Sequence, residues 1–171
     1  MASDGVIVYS MRGYDKSEKK QIKKLIKETD EMIDGLEFVT KRKARRSSGL
    51  LVQSELHWQK VDEITGDPHP DLGACTCASC SDAGPDGRAN MTNNGWNILT
   101  TDQGRHGIYE RTVEEFLITH ELGHALGLSH PNEDPLNEQW TVEDTTMSYN
   151  LRFPYQGWAP ADQAQLIELW G

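Results

Sequence analysis

The sequence predicts an α/β (α+β) fold, a twisted and mostly parallel sheet backed by a long helix, with two further helices in the C-terminal half. Three observations predict it. Over residues 5–58 short β-type runs and a helical run follow one another as strand, helix, strand, strand, an order that gives parallel strands joined by a right-handed crossover. A second helical period runs through "HELGHALGLSH", residues 120–130. A third closes the chain at 160–171, with Pro160 in its first turn.

The first strand is "GVIVYSM" (5–11). In the next segment Ile22, Leu25, Ile26, Met32 and Ile33 recur at helical spacing. Asp15 followed by Glu18 has the form of a capping box, and Gly35 is a stop signal. The helix is amphipathic, with a lysine-rich outer face. "LEFVT" (36–40) and "GLLVQSELHW" (49–58) read as strands separated by a basic turn, "KRKARRSS". Residues 62–95 are rich in Gly, Pro, Asp and Asn and read as a long loop, a length that usually carries function. "NGWNILTT" (94–101) is the last clear strand. The second helix is expected to start near Thr112, where Thr112 and Glu115 form a T-x-x-E pattern, and to stop at Gly127.

With 171 residues, 36% hydrophobic and 26% charged, one domain is expected over 1–171, its upper portion formed by residues 1–127 and its lower portion by residues 128–171. No run approaches the ~18 apolar residues of a membrane helix, so no membrane partner is expected. "MASDGVIVYSM" lacks the basic start and long apolar core of a signal peptide. The expected location is therefore cytoplasmic, or outside the cell by a non-classical route. The net charge of -10 is uneven: +4 over residues 1–46 and -14 over 47–171. The acidic stretch disfavours nucleic acid as its ligand and leans weakly towards cationic or neutral partners. A monomer is expected.

His120 and His124 are four apart, so on a helix they are neighbours able to share one metal ion. Ile118, Leu122, Ala125 and Leu126 fall on the opposite face, which can pack on the sheet. Glu121 lies about 100° round the helix, too far to be an equal ligand but able to reach a water at the metal. Gly127 permits a positive φ, so the chain can double back and bring His130 to the same ion. Three protein ligands and an open position are the pattern of a catalytic zinc site. Zinc lowers the pKa of water to about 7, and Glu121 would serve as general base and then acid.

"HELGHALGLSH" matches H-E-x-x-H-x-x-G-x-x-H, and on it the chain resembles the metzincin zinc metallopeptidases. "TTMSYN" puts Met147 where the methionine turn of that family lies. Met-Ser-Tyr, and Pro131 straight after the third histidine, resemble serralysin- and matrixin-like catalytic domains. "PADQAQLIELWG" is similar to their last helix, with Trp170 in place of a tyrosine. The specific match covers about residues 112–171; upstream only the order of elements agrees. The resemblance implies a metzincin-like sheet of about five strands with an antiparallel edge strand, a backing helix, an active-site helix and a C-terminal helix. It implies an endopeptidase hydrolysing peptide bonds, with one catalytic Zn²⁺ on His120, His124 and His130. Tyr149 would be a further ligand at rest that swings out to the oxyanion, and Met147 an apolar floor that is not a ligand. A peptide or unfolded protein would bind extended along the edge strand, formed by 73–80 or by 87–91. Three departures stand out: no glycine-rich Ca²⁺-binding repeats follow, no propeptide is expected within these residues, and "CTCASC" has no counterpart.

Cys75, Cys77 and Cys80 admit three readings: plain loop thiols, a second structural metal site with His69 or His106, or a regulatory ligand on the catalytic zinc. Asp67, Asp71, Asp82 and Asp86 are candidates for Ca²⁺, with no recognisable spacing. Two competing functions remain on the sequence. One is a non-catalytic, zinc-containing peptide-binding module, against which the presence of Glu121 argues. The other is nucleic-acid binding through the basic N-terminal half.

Overall fold

The computed structural model describes residues 5–48, 54–60, 74–77, 96–100, 110–134, 136–150 and 155–171. Strand β1 (Val6–Arg12) leads into helix α1 (Lys16–Met32), then β2 (Glu37–Thr40), α2 (Lys41–Ser48), β3 (Leu56–Lys60), β4 (Ala74–Cys77), β5 (Trp96–Thr100), α3 (Glu110–Leu126) and α4 (Pro160–Trp170). The sheet order is β2-β1-β3-β5-β4. The pairings β1–β2, β1–β3 and β3–β5 are parallel, and β4–β5 is antiparallel. Of the two stretches expected to supply an edge strand, 73–80 therefore contains one; 87–91 lies outside the described residues.

Period-2 alternation sorts the sheet residues. Ile7, Tyr9, Phe38, Leu56, Trp58 and Ile98 share one face by register. They join one buried core with Ile22, Leu25 and Ile26 of α1 and Ile118, Leu122, Ala125 and Leu126 of α3. The apolar stripe read from the sequence of α3 is thus its buried side. α3 lies against β4 and β5, which sets the helix that carries His120 and His124 against the antiparallel edge of the sheet.

The N-terminus of α1 carries the expected capping box. Asp15 Oδ1 accepts from the Ser17 and Glu18 amides, and a Glu18 carboxylate oxygen accepts from the Asp15 amide. Glu18 is buried, and its other oxygen accepts from Lys60 Nζ at the end of β3. A buried carboxylate satisfied on both oxygens ties the first turn of α1 to the sheet. α1 ends at Met32 with Ile33 as its C-cap, and Gly35 takes a φ of 104° in the turn that follows.

Three boundaries differ from the sequence reading. "KRKARRSS" is a helix, α2, not a turn, and it lies against β1 and β2. β3 starts at Leu56 and runs on to Lys60, while Ser54 is buried ahead of it and the Glu55 amide donates to Val8 O. α3 starts at Glu110, two residues before the expected Thr112, so the T-x-x-E pattern lies inside the helix.

Candidate metal centre

The site is built where α3 ends. Gly127 takes a φ of 104°, a left-handed conformation that suits glycine. Its amide donates to His124 O, and the Leu128 amide donates to Gly123 O, the two bonds of a Schellman stop. The chain then reverses, and His130 returns alongside His120 and His124.

The three imidazoles converge through their Nε2 atoms. His130 Nε2 lies 3.2 Å from His120 Nε2 and 3.1 Å from His124 Nε2. The three ligand atoms all lie within 4.8 Å of one another, the one such group of His, Cys, Asp or Glu among the described residues. The far nitrogens are occupied: His120 Nδ1 donates to Thr146 O at 2.8 Å and His124 Nδ1 to Leu128 O at 3.0 Å. A carbonyl only accepts, so each bond fixes the Nδ1–H tautomer and turns an Nε2 lone pair inward. Burial holds all three below the usual histidine range, helped by neighbouring imidazoles at two of them: His120 goes down to about 3, His130 to about 4, and His124 is lowered by burial. Neutral, deprotonated nitrogens pointing at one spot are the state a metal ligand must adopt.

Beside this cluster Glu121 is buried, one position along α3 from His120. The Tyr149 ring centroid lies 5.1 Å from that of His120 and 5.2 Å from that of His130. The Phe116 ring centroid is 5.4 Å from that of His120, and Tyr155 meets Phe116 edge-on at 5.6 Å. Burial pushes the Tyr155 phenol up to about 12, so it stays neutral.

Met147 is 1% exposed and approaches α3 at Gly123. A Cβ added to Gly123 would lie 2.6 Å from Met147 Sδ. The second x of H-E-x-x-H is therefore glycine because the methionine approaches the helix backbone there, a role the motif alone does not reveal. Sequence reasoning also missed Asp162, 2% exposed in the first turn of α4. Its Oδ1 accepts from Thr145 Oγ1 and its Oδ2 from the Thr146 amide, both at 2.6 Å. Thr145 Oγ1 in turn accepts from the Met147 amide, and Thr146 Oγ1 bonds to Gly157 O and the Ala159 amide. The carbonyl that orients His120 is thus held by a buried carboxylate from another helix. The signal for it in the sequence was an acidic residue just after Pro160, which alone reads as an ordinary helix start. Around Tyr149, Ser148 Oγ donates to Trp140 O, and Asn150 Nδ2 donates to Asn137 O and Trp140 O.

Cys75 and Cys77 lie on β4, paired in register with Leu99 and Asn97 of β5. Cys80, His69, His106 and the four candidate Ca²⁺ aspartates lie outside the described residues.

The chain superposes on archaemetzincin from Methanopyrus kandleri with a TM-score of 0.55 at 11% identity, over 98% of this chain and 97% of that one. It also matches high choriolytic enzyme 1, a hatching-enzyme zinc-protease from Oryzias latipes, with a TM-score of 0.47 at 17% identity, over 98% and 90%. The first of these shares the fold with this chain, a mixed α/β arrangement. No protein-family model matches the sequence. No curated protein matches it either.

Proposed function

We propose that this protein is a zinc-dependent endopeptidase of the metzincin type, close to the serralysin- and matrixin-like catalytic domains. One observation carries the reading: three Nε2 lone pairs converge, two of them fixed by carbonyls, with a buried glutamate next along the same helix. The donor set fits zinc. Nitrogens at about 2.0–2.1 Å from a tetrahedral zinc are about 3.3–3.4 Å apart, close to the 3.1 and 3.2 Å separations here. His120, His124 and His130 would hold the ion, with Tyr149 a further candidate ligand. Bound zinc supplies a Lewis acid for the scissile carbonyl and brings the pKa of water to about 7.

The remaining chemistry belongs to the chain. Glu121 accepts a proton from the attacking water and returns it to the leaving amine, a shuttle suited to a buried carboxylate at the open side of the ligand set. The Tyr149 hydroxyl donates a hydrogen bond to the developing oxyanion. Met147 keeps the floor dry and apolar. The substrate lies extended along β4, at the end of the sheet order, and gains strand-type hydrogen bonds from its outer edge. Profiling cleavage of a proteome-derived peptide library, with and without a zinc chelator, tests this. Chelator-sensitive cuts are expected; cuts that persist in chelator, or none in the zinc-loaded protein, contradict it.

A further inference from the structure

Two helices rich in basic residues stand on this molecule, and they are built differently. α1 intersperses its lysines with acids: Lys24 pairs with Glu28 and Lys27 with Glu31, each four residues apart, and Glu18 sits in its first turn. α2 contains Lys41, Arg42, Lys43, Arg45 and Arg46 and no acid. All five are exposed, and Ala44, the one apolar residue of the helix, is half-buried. Among the described residues, the one ion pair made by α2 is Lys43 with Glu37.

This helix opposes its own electrostatics. Lys41/Arg45 and Arg42/Arg46 are like charges four apart, and Arg42/Arg45 and Lys43/Arg46 three apart, all on adjacent turns. Lys41, Arg42 and Lys43 also sit at the positive end of the helix dipole, where anions are favoured. Burial holds the half-buried His57 of β3 below its usual imidazole range, and Lys41 adds a smaller push in the same direction. A helix of eight residues is marginal alone, so packing against β1 and β2 holds these charges together.

We infer that α2 is a docking element for the phosphodiester backbone of nucleic acid. Arginine forks match phosphate oxygens two at a time, and three of the five cations are arginine. Regularly spaced phosphates relieve both the like-charge pairs and the dipole conflict. An anionic membrane is the poorer partner, because a surface helix needs an outward apolar face and Ala44 is half-buried. α2 follows β2 at one end of the sheet and β4 is at the other, so docking leaves the cleft edge open. The acidic remainder of the chain restricts the contact to this patch and keeps it weak. The inference is independent of the zinc chemistry.

The test is fluorescence anisotropy of the full chain with a labelled DNA duplex of about 20 base pairs, titrated across salt. About three phosphates neutralised give a log–log salt slope near -3, or roughly 60-fold weaker binding between ~50 and ~200 mM salt. R42Q/R45Q/R46Q should lose at least about tenfold, while the equal-charge control K19Q/K20Q/K23Q on α1 stays within about threefold. Absence of salt-sensitive binding, or equal losses in both variants, overturns the inference. So does preference for phosphatidylserine vesicles or polyglutamate over DNA. The arginine variant should melt no lower than the wild type in low salt, since it removes repulsion; a lower melting temperature overturns the electrostatic premise.

Discussion

His120 and His130 face the same point from two differently built regions. His120 is 1% exposed, rises from the middle of α3 and is held through Thr146 O by a turn that Asp162 anchors from α4. His130 is half-buried on a return loop, followed by Asn132 and Glu133 with φ of 54° and 61°. One side belongs to the core; the other is a loop that bends sharply to reach it. Two histidines that converge on one point are thus unequal members of the fold: the helix side is tied into the core, and the loop side reaches the same point from the surface.

The comparison breaks or holds most visibly in the metal-free protein. His120→Ala should cost about 2–4 kcal/mol, from the lost packing and the stranded Thr146 carbonyl, while His130→Ala stays within about 1 kcal/mol. Urea unfolding in chelator measures both, and equal losses contradict the account. The same contrast has a pH signature. Both histidines have folded pKa values below the unfolded ~6.5, so the unfolded chain binds more protons as pH falls and stability rises with pH. The metal-free protein should be most stable above about pH 6.5 and weaken progressively towards pH 4 and 3, where His130 and then His120 protonate in the fold. His120→Ala should flatten that profile more than His130→Ala does.

Asp162→Ala should come next, at about 2–3 kcal/mol, because the Thr146 amide and Thr145 hydroxyl lose their acceptor in a buried place. It should also weaken zinc binding by about 10–100-fold without touching a ligand, as loss of an outer partner does. Isothermal titration with zinc checks this; unchanged affinity would mean that the turn orients His120 without Asp162. Gly123→Ala should cost about 1–3 kcal/mol, since its Cβ would meet Met147 Sδ. The smallest effect belongs to the loop side. Glu133→Gly should change thermal stability by no more than about 1 kcal/mol, relief of the positive φ being offset by the flexibility of glycine in the unfolded chain.

Much of this centre could be read from local spacing. The His120–His124 register, the Gly127 reversal, the buried stripe on α3 and the Asp15–Glu18 box are relations within a turn or two of helix, which sequence displays directly. What escaped reading is held by distant partners. The Asp162–Thr146 bond spans 16 residues and the Trp158–Thr29 bond spans 129, and neither leaves a periodic trace. α2 escaped for another reason: "KRKARRSS" lacks an apolar period and repels itself, so propensity argues against the helix that packing on β1 and β2 imposes. The role of Gly123 was hidden because the motif leaves that position open, and only the approach of Met147 demands glycine.

The central claim is that the histidine cluster with Glu121 forms a working peptidase centre. Its most direct measurement compares wild type with Glu121→Gln at equal, verified zinc content on the same peptide library. The account predicts retained zinc and a loss of about 10²–10⁴-fold in cleavage rate, the scale of a general base. Equal cleavage by the two proteins, or none by either, would contradict it.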